Sequence, residues 1–179
     1  MEERDEESIS FDRKKIVSFF KDSQKWVLIL LIIALILGGY IRSLPMTDHG
    51  GRPGLWDITT NTWTLGPDLD PWLFLRNAKT IVETGSLPDR DMMRNVPLGF
   101  DNSKESQLLS YLIAYTHFVL NFFGDFNVEF AGAVFPVVMF ILTILVFFLF
   151  VREIFINKSR DGIFKANLIA IVASYLMIV

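Results

Sequence analysis

The sequence predicts an all-α integral membrane protein, on three observations. Just over half of the residues, 51%, are apolar, and Phe alone contributes 17, a richness expected of lipid-embedded helices. Two uncharged runs, residues 26–41 and 130–151, approach or reach the roughly 20 residues needed to cross a hydrocarbon core. A third apolar stretch, residues 166–179, is still apolar at Val179. There is no cysteine, so disulfides, thiolate-held zinc and thiol nucleophiles are excluded and catalysis must rest on carboxylates, other polar groups or a metal. The net charge of -3, with both signs spread along the chain, gives no case for nucleic-acid binding.

The first span is expected over residues 26–44. Lys25 and Arg42 can snorkel to the interface at its ends, and the charged residues 1–25 ahead of it favour a retained anchor over a cleaved signal peptide. Within that N-terminal segment, the acidic residues before Ser10 read as a solvated tail. The second span is expected over 130–151. The third, over 166–179, reads as a helix cut in its middle, which makes the chain an N-terminal fragment. No internal repeat or low-complexity linker divides the sequence.

Residues 106–124 contain no Asp, Glu, Lys or Arg, yet their pattern differs from that of a span. Gln107, Ser110, Ala114, His117 and Asn121 follow a 3-4-3-4 spacing that stacks them on one helical face, with Leu108, Leu109, Leu112, Tyr115, Phe118, Val119 and Phe122 on the rest. This predicts an amphipathic helix over 106–123, lying in the membrane interface or in a membrane-level groove, with charge tolerated at Ser110. Charge placement agrees. If only 26–44 and 130–151 cross completely, the basic N-terminus and the basic loop 152–165 share the cytoplasmic side, and residues 45–129 form a large extracytoplasmic loop.

Within that loop, Asp70 reads as an N-cap, Pro71 as the first helical residue and Gly85 as a stop, giving a helix near 70–84. Asp68 reads as a turn residue or a second ligand beside Asp70. Asp91 and Arg94 could form a local ion pair and are read as loop architecture. Trp56, Trp63 and Trp72 are read as interfacial anchors before sugar-stacking surfaces, and His49 beside Asp48 as a solvated loop histidine. The sequon Asn157-Lys158-Ser159 falls in the cytoplasmic loop, where it reads as a chance match.

The string Asp70-Pro71-Trp72 followed by Arg76, Gly85, Asp91, Arg94, Pro97 and Gly99 resembles the first outer loop of oligosaccharyltransferase catalytic subunits, closest to the archaeal branch. Tyr115 to Asn121, with its His-aromatic pair, is similar to that loop's second surface helix. The resemblance implies a GT-C type membrane glycosyltransferase that moves a glycan from a lipid-linked (dolichyl or polyprenyl phosphate) carrier to the Asn of N-X-Ser/Thr acceptors. It also implies that Asp70 is catalytic and holds Mg2+ or Mn2+, hard cations suited to oxygen ligands. Asp68 is a second candidate ligand, and Arg76 either supports the loop or contacts phosphate. The family's second acidic motif and C-terminal domain lie beyond Val179, so the fragment alone is expected to be inactive. A protein mannosyltransferase or a non-catalytic assembly subunit is the alternative expectation.

The charge argument is checked by single cysteines and a membrane-impermeant label. Labelling is expected at Asn61 and Asp125 and not at Lys158; modification at Lys158 would overturn the arrangement.

Overall fold

Three helices are long and apolar enough to cross a membrane in the computed structural model, which describes residues 25–47, 54–66, 68–157 and 159–178. They are α1 (Lys25–Ser43), α4 (Val128–Phe155) and α5 (Arg160–Ile178), and between the first two lie α2 (Leu69–Thr84) and α3 (Leu108–Asn121). His49, Asp48, Lys158 and the N-terminal tail fall outside the described residues.

The chain is not wholly α. Two short antiparallel ladders, β1 (Trp56–Asp57) with β2 (Thr62–Trp63) and β3 (Arg90–Asp91) with β4 (Phe100–Asp101), sit in the segment between α1 and α4. The first forms because Asp57 organises its own turn. Its carboxylate accepts the Thr59 N–H at 2.8 Å and the Thr60 hydroxyl at 2.7 Å, and these bonds hold its pKa below the ordinary aspartate value. Trp56 and Trp63 then face each other across the ladder, edge to face at 5.6 Å.

The chain divides into two compact units. One contains residues 25–37 and 143–178, where Trp26, Val27, Leu31, Phe148, Val151, Ala170 and Ile171 form the core. Two polar contacts join helices here: Arg152 Nε donates to Asn167 Oδ1 at 2.9 Å, and the Tyr175 hydroxyl donates to the Leu30 carbonyl at 3.1 Å. Helix α5 begins at Arg160 and not near Ala166, which shortens the expected 152–165 loop to residues 156–159. The charged residues Arg160, Asp161 and Lys165 lower the hydropathy and hid this start; Gly162 disfavours a helix by about 1 kcal/mol, which the rest of the helix outweighs.

The other unit, residues 38–142, holds α2 and α3 packed together. Its core is built from Ala78, Ile81, Ile113, Ala114 and Phe135. Leu75, Ala78 and Ile81 recur every third residue and form the buried stripe of α2. Gly85 ends the helix in the left-handed region at φ 86°, its N–H returning to the Ile81 carbonyl at 2.8 Å. At the other end the expected cap is displaced. Asp68 occupies the N-cap position with extended backbone, without a side-chain capping bond, and Asp70 lies inside the first turn. Pro71 tolerates this placement because no intrahelical acceptor exists for first-turn amides.

Helix α3 is inside out relative to water-soluble expectation. Ser110 and Ala114 are completely buried and His117 is nearly so, whereas Leu108, Tyr115, Val119 and Phe122 are exposed. The middle of the polar stripe, Ser110, Ala114 and His117, therefore packs against protein, while Asn121 at its end is exposed. The Ser110 hydroxyl and His117 Nδ1 have no hydrogen-bond partner, while His117 Nε2 lies 3.0 Å from Asn121 Nδ2. The expected tolerance of charge at Ser110 is thus corrected. A Lys there would overpack a closed contact and strand an ammonium.

Ser110→Lys is expected to lower stability in detergent by about 3 kcal/mol or more. Ser110→Ala removes an unpaired hydroxyl and should change it by less than about 1 kcal/mol. Thermal melts of both variants check this.

Candidate functional site

The start of α2 is set by the chain just before it. Gly66 adopts φ +94°, a left-handed conformation open to glycine, and its carbonyl accepts the indole N–H of Trp72 at 2.9 Å. The turn is thereby tied to the helix it precedes, and Trp72, still 39% exposed, has a structural partner besides any interfacial role. Asp68 and Asp70 are exposed at this end, and among the described residues no hydrogen bond or ion pair engages either carboxylate.

Beside them opens a pocket of about 360 Å³. Its walls come from Leu55 and Leu65, from Pro71 and Phe74 of α2, from Leu109 and Ile113 of α3, and from Gly132, Ala133, Phe135 and Pro136 of α4; among the described residues, Asp70 is the one charged side chain lining it. Small residues shape the α4 wall. A Cβ at Gly132 would stand 3.2 Å from Leu75 Cδ1 and 3.4 Å from Leu65 Cδ2, so the glycine lets α2 and the preceding loop close on α4. Pro136 supplies no N–H within α4. The same seam carries an ion pair between Lys79 and Glu129 at 2.5 Å. A carboxylate over an apolar pocket suits a ligand with a polar or cation-bridged end and a hydrocarbon body.

Arg76 is engaged elsewhere. Its guanidinium pairs with Asp91, whose side chain is only 11% exposed, and Asp91 Oδ1 also accepts the Met93 N–H at 3.0 Å. A small polar cavity of about 80 Å³ lies around this pair, lined also by Asn77, Thr80 and Asn102. No ion pair joins Arg76 to Asp70 among the described residues. Asp91 and Arg94 each take a longer-range partner within the loop. Arg94 forms a bidentate bridge to Glu105 at 2.7 and 2.8 Å and stacks over the Phe100 ring at 4.0 Å. The bond from Arg94 holds the Glu105 carboxyl below its ordinary range, and Glu105 in turn raises the Arg94 pKa.

Asn102 completes this framework. It is 3% exposed, donates from Nδ2 to the Pro88 carbonyl at 2.8 Å and receives Gln107 Nε2 on its own carbonyl at 2.8 Å. Arg90 Nη1 reaches the Leu98 carbonyl at 3.0 Å, and Gly99 at φ +72° sits against Met92 and Arg90, where a Cβ would come within 2.9 Å of three side-chain atoms. The Pro97-x-Gly99 turn is therefore built for close approach.

The donor set fits a hard divalent cation in kind. Mg2+ is commonly held by one or two carboxylates with its other positions filled by water and substrate phosphate, and Asp70 with Asp68 could supply those carboxylates. Among the described residues no group of three or more His, Cys, Asp or Glu forms an all-protein site. His117, buried and bonded to Asn121, belongs to the α3 core. Sequence reasoning missed the pocket, whose lining comes from separated elements, and missed Asp91 as the partner of Arg76. No protein-family model, curated protein or solved structure matches the chain.

Support of the loop by Arg76 has a direct readout. Arg76→Ala leaves the mostly buried Asp91 carboxylate unpaired and is expected to cost roughly 2 kcal/mol in thermal or denaturant unfolding. An unchanged melt would assign this arginine to ligand contact alone.

Proposed function

We propose that this chain supplies the first outer loop and adjoining membrane helices of an oligosaccharyltransferase, a GT-C type metal-dependent glycosyltransferase of the cell membrane. In this reading a glycan passes from a lipid-linked phosphate carrier to the side-chain nitrogen of Asn in N-X-Ser/Thr acceptors. The N-terminus is cytoplasmic, and the loop carrying Asp70 is outside.

The observation that carries the reading is Asp70 itself. It combines the Asp70-Pro71-Trp72-x-x-x-Arg76 string with an exposed carboxylate at the first turn of a helix, on the rim of an apolar pocket. Asp70, with Asp68 as a second donor, would hold the cation through oxygen ligands. A cation held there would offset the negative charge that develops on the phosphate leaving group. In this reading the acceptor amide nitrogen attacks the anomeric carbon as the bond to the phosphate oxygen breaks; that electron pair leaves with the phosphate, and the proton lost by the nitrogen passes to a carboxylate beside the amide. Asp70 would serve both tasks. Trp72, bonded to Gly66, fixes the helix end that presents it. Arg76 acts at a distance by fixing the Asp91 turn.

The test separates charge from structure. Because Asp70 is not the N-cap, Asp70→Asn gives up only its interaction with the helix dipole, about 0.3 to 1 kcal/mol. Metal-dependent transfer to an Asn-containing acceptor peptide, measured in membranes carrying the enzyme, is expected to fall by about 100-fold or more, since losing even an outer-sphere partner of a metal commonly costs 10- to 100-fold. Asp68→Asn is the paired control and should fall less. Near-normal transfer by the Asp70 variant at an unchanged metal requirement would remove Asp70 from the site.

A further inference from the structure

We propose that the outward face of α3, continued by Phe122 and Phe123, is seated in the lipid interface of the membrane that α4 enters, so that the helix is a lateral anchor for the unit carrying Asp70. Leu108 is 66% exposed, Val119 61%, Phe122 87% and Phe123 78%, with Tyr115 and Phe118 beside them. At offsets of seven, four and three residues, 108, 115, 119 and 122 form one stripe along the helix. Ser110 and His117, two polar residues that would ordinarily hold such a helix at a water boundary, point the other way, into the protein. No charged side chain interrupts residues 106–124.

The occupant follows from how α3 is joined to α4. Asn121, the last residue of α3, accepts the Phe126 N–H on Oδ1 at 2.8 Å. Phe126 stacks on Phe130 in the first turn of α4 with ring centres 5.0 Å apart. Asn127 caps that helix, accepting the Phe130 N–H at 2.8 Å. A hydrogen bond and a stacked ring pair therefore lock the end of α3 to the start of the most apolar helix in the chain. Between them the exposed Asp125 marks contact with water. An apolar, aromatic-rich helix face fastened where a spanning helix meets the headgroups is covered by lipid. The inference needs α4 in the bilayer and does not depend on the identity of the reaction.

The chain has no cysteine, so single cysteines can carry a nitroxide at chosen positions. Labels at Leu108, Val119 and Phe122, with Lys104 as the water-exposed control, are placed on the full chain in phosphatidylcholine vesicles. Collisions with oxygen, which concentrates in lipid, are compared with collisions with a water-soluble nickel chelate. The oxygen-to-nickel ratio at Val119 and Phe122 is expected to exceed that at Lys104 severalfold. A nickel response equal to that of Lys104 would place the face in water, and poor access to both reagents would place it against protein; either result overturns the proposal. Because all these positions are exposed, the labels leave the core intact, and circular dichroism of each labelled protein verifies the helix content.

Discussion

The packing of α2 on α3 is the contact on which the candidate site depends. Ala78 and Ala114 are fully buried in the cluster shared by the two helices, and Ser110 is fully buried on the same face of α3. Small side chains let helix backbones approach closely, and dispersion then accumulates over many short contacts. Three consequences follow. The first turn of α2, with Asp70, is held over the pocket that Ile113 and Phe135 help to line. The next turn directs Arg76 to Asp91, which fixes the loop beyond the helix. With its small polar stripe used for packing, α3 has only its large apolar residues left to present outward.

The periodicity of α3 was legible in the sequence, but its orientation was not. A 3-4-3-4 stripe states that two faces differ in polarity; which face is buried depends on the surrounding medium, which the pattern does not contain. The spans were readable because length and absence of charge are local properties. The start of α5 was misplaced because Arg160, Asp161 and Lys165 lower the hydropathy, although the helix runs through them and through Gly162. Both small ladders were missed as well. Two-residue strands are too short for alternation to register, and the available signal was the Asp57-Ile58-Thr59-Thr60-Asn61 turn, in which Asp57 bonds Thr59 and Thr60 and Asn61 takes φ 53°.

The site was legible where its chemistry is local. Asp70, Pro71 and Gly85 mark a helix and a carboxylate at its head, though the cap falls on Asp68, two residues before the expected Asp70, because Asp is competent at either position. Partnerships across the loop were not legible. Arg76 pairs with a residue 15 positions away and Arg94 with one 11 away, whereas the only pairing the sequence offered was the local one between Asp91 and Arg94. In a loop with several Asp, Glu and Arg residues, sequence proximity is a weak guide. The backbone path of the β3–β4 ladder decides which charges meet.

Helix α5 shows the same polarity rule as α3. Asn167 and Ser174 are almost or completely buried, and Tyr175 donates to α1, whereas Leu168, Ile169, Val172 and Leu176 are exposed. In water this arrangement would be unfavourable on both faces. In hydrocarbon it is expected, because lipid offers no hydrogen bonds and competes with no apolar surface, so polar and small residues gather where helices touch and large apolar residues face outward. Helix α3 is too short to span at about 1.5 Å per residue, yet it sorts its residues by the rule obeyed in α5. A helix outside the spans that is patterned like one inside them places its environment at the boundary between the two, and the Asn121–Phe126–Phe130 connection to α4 gives that placement a mechanical basis.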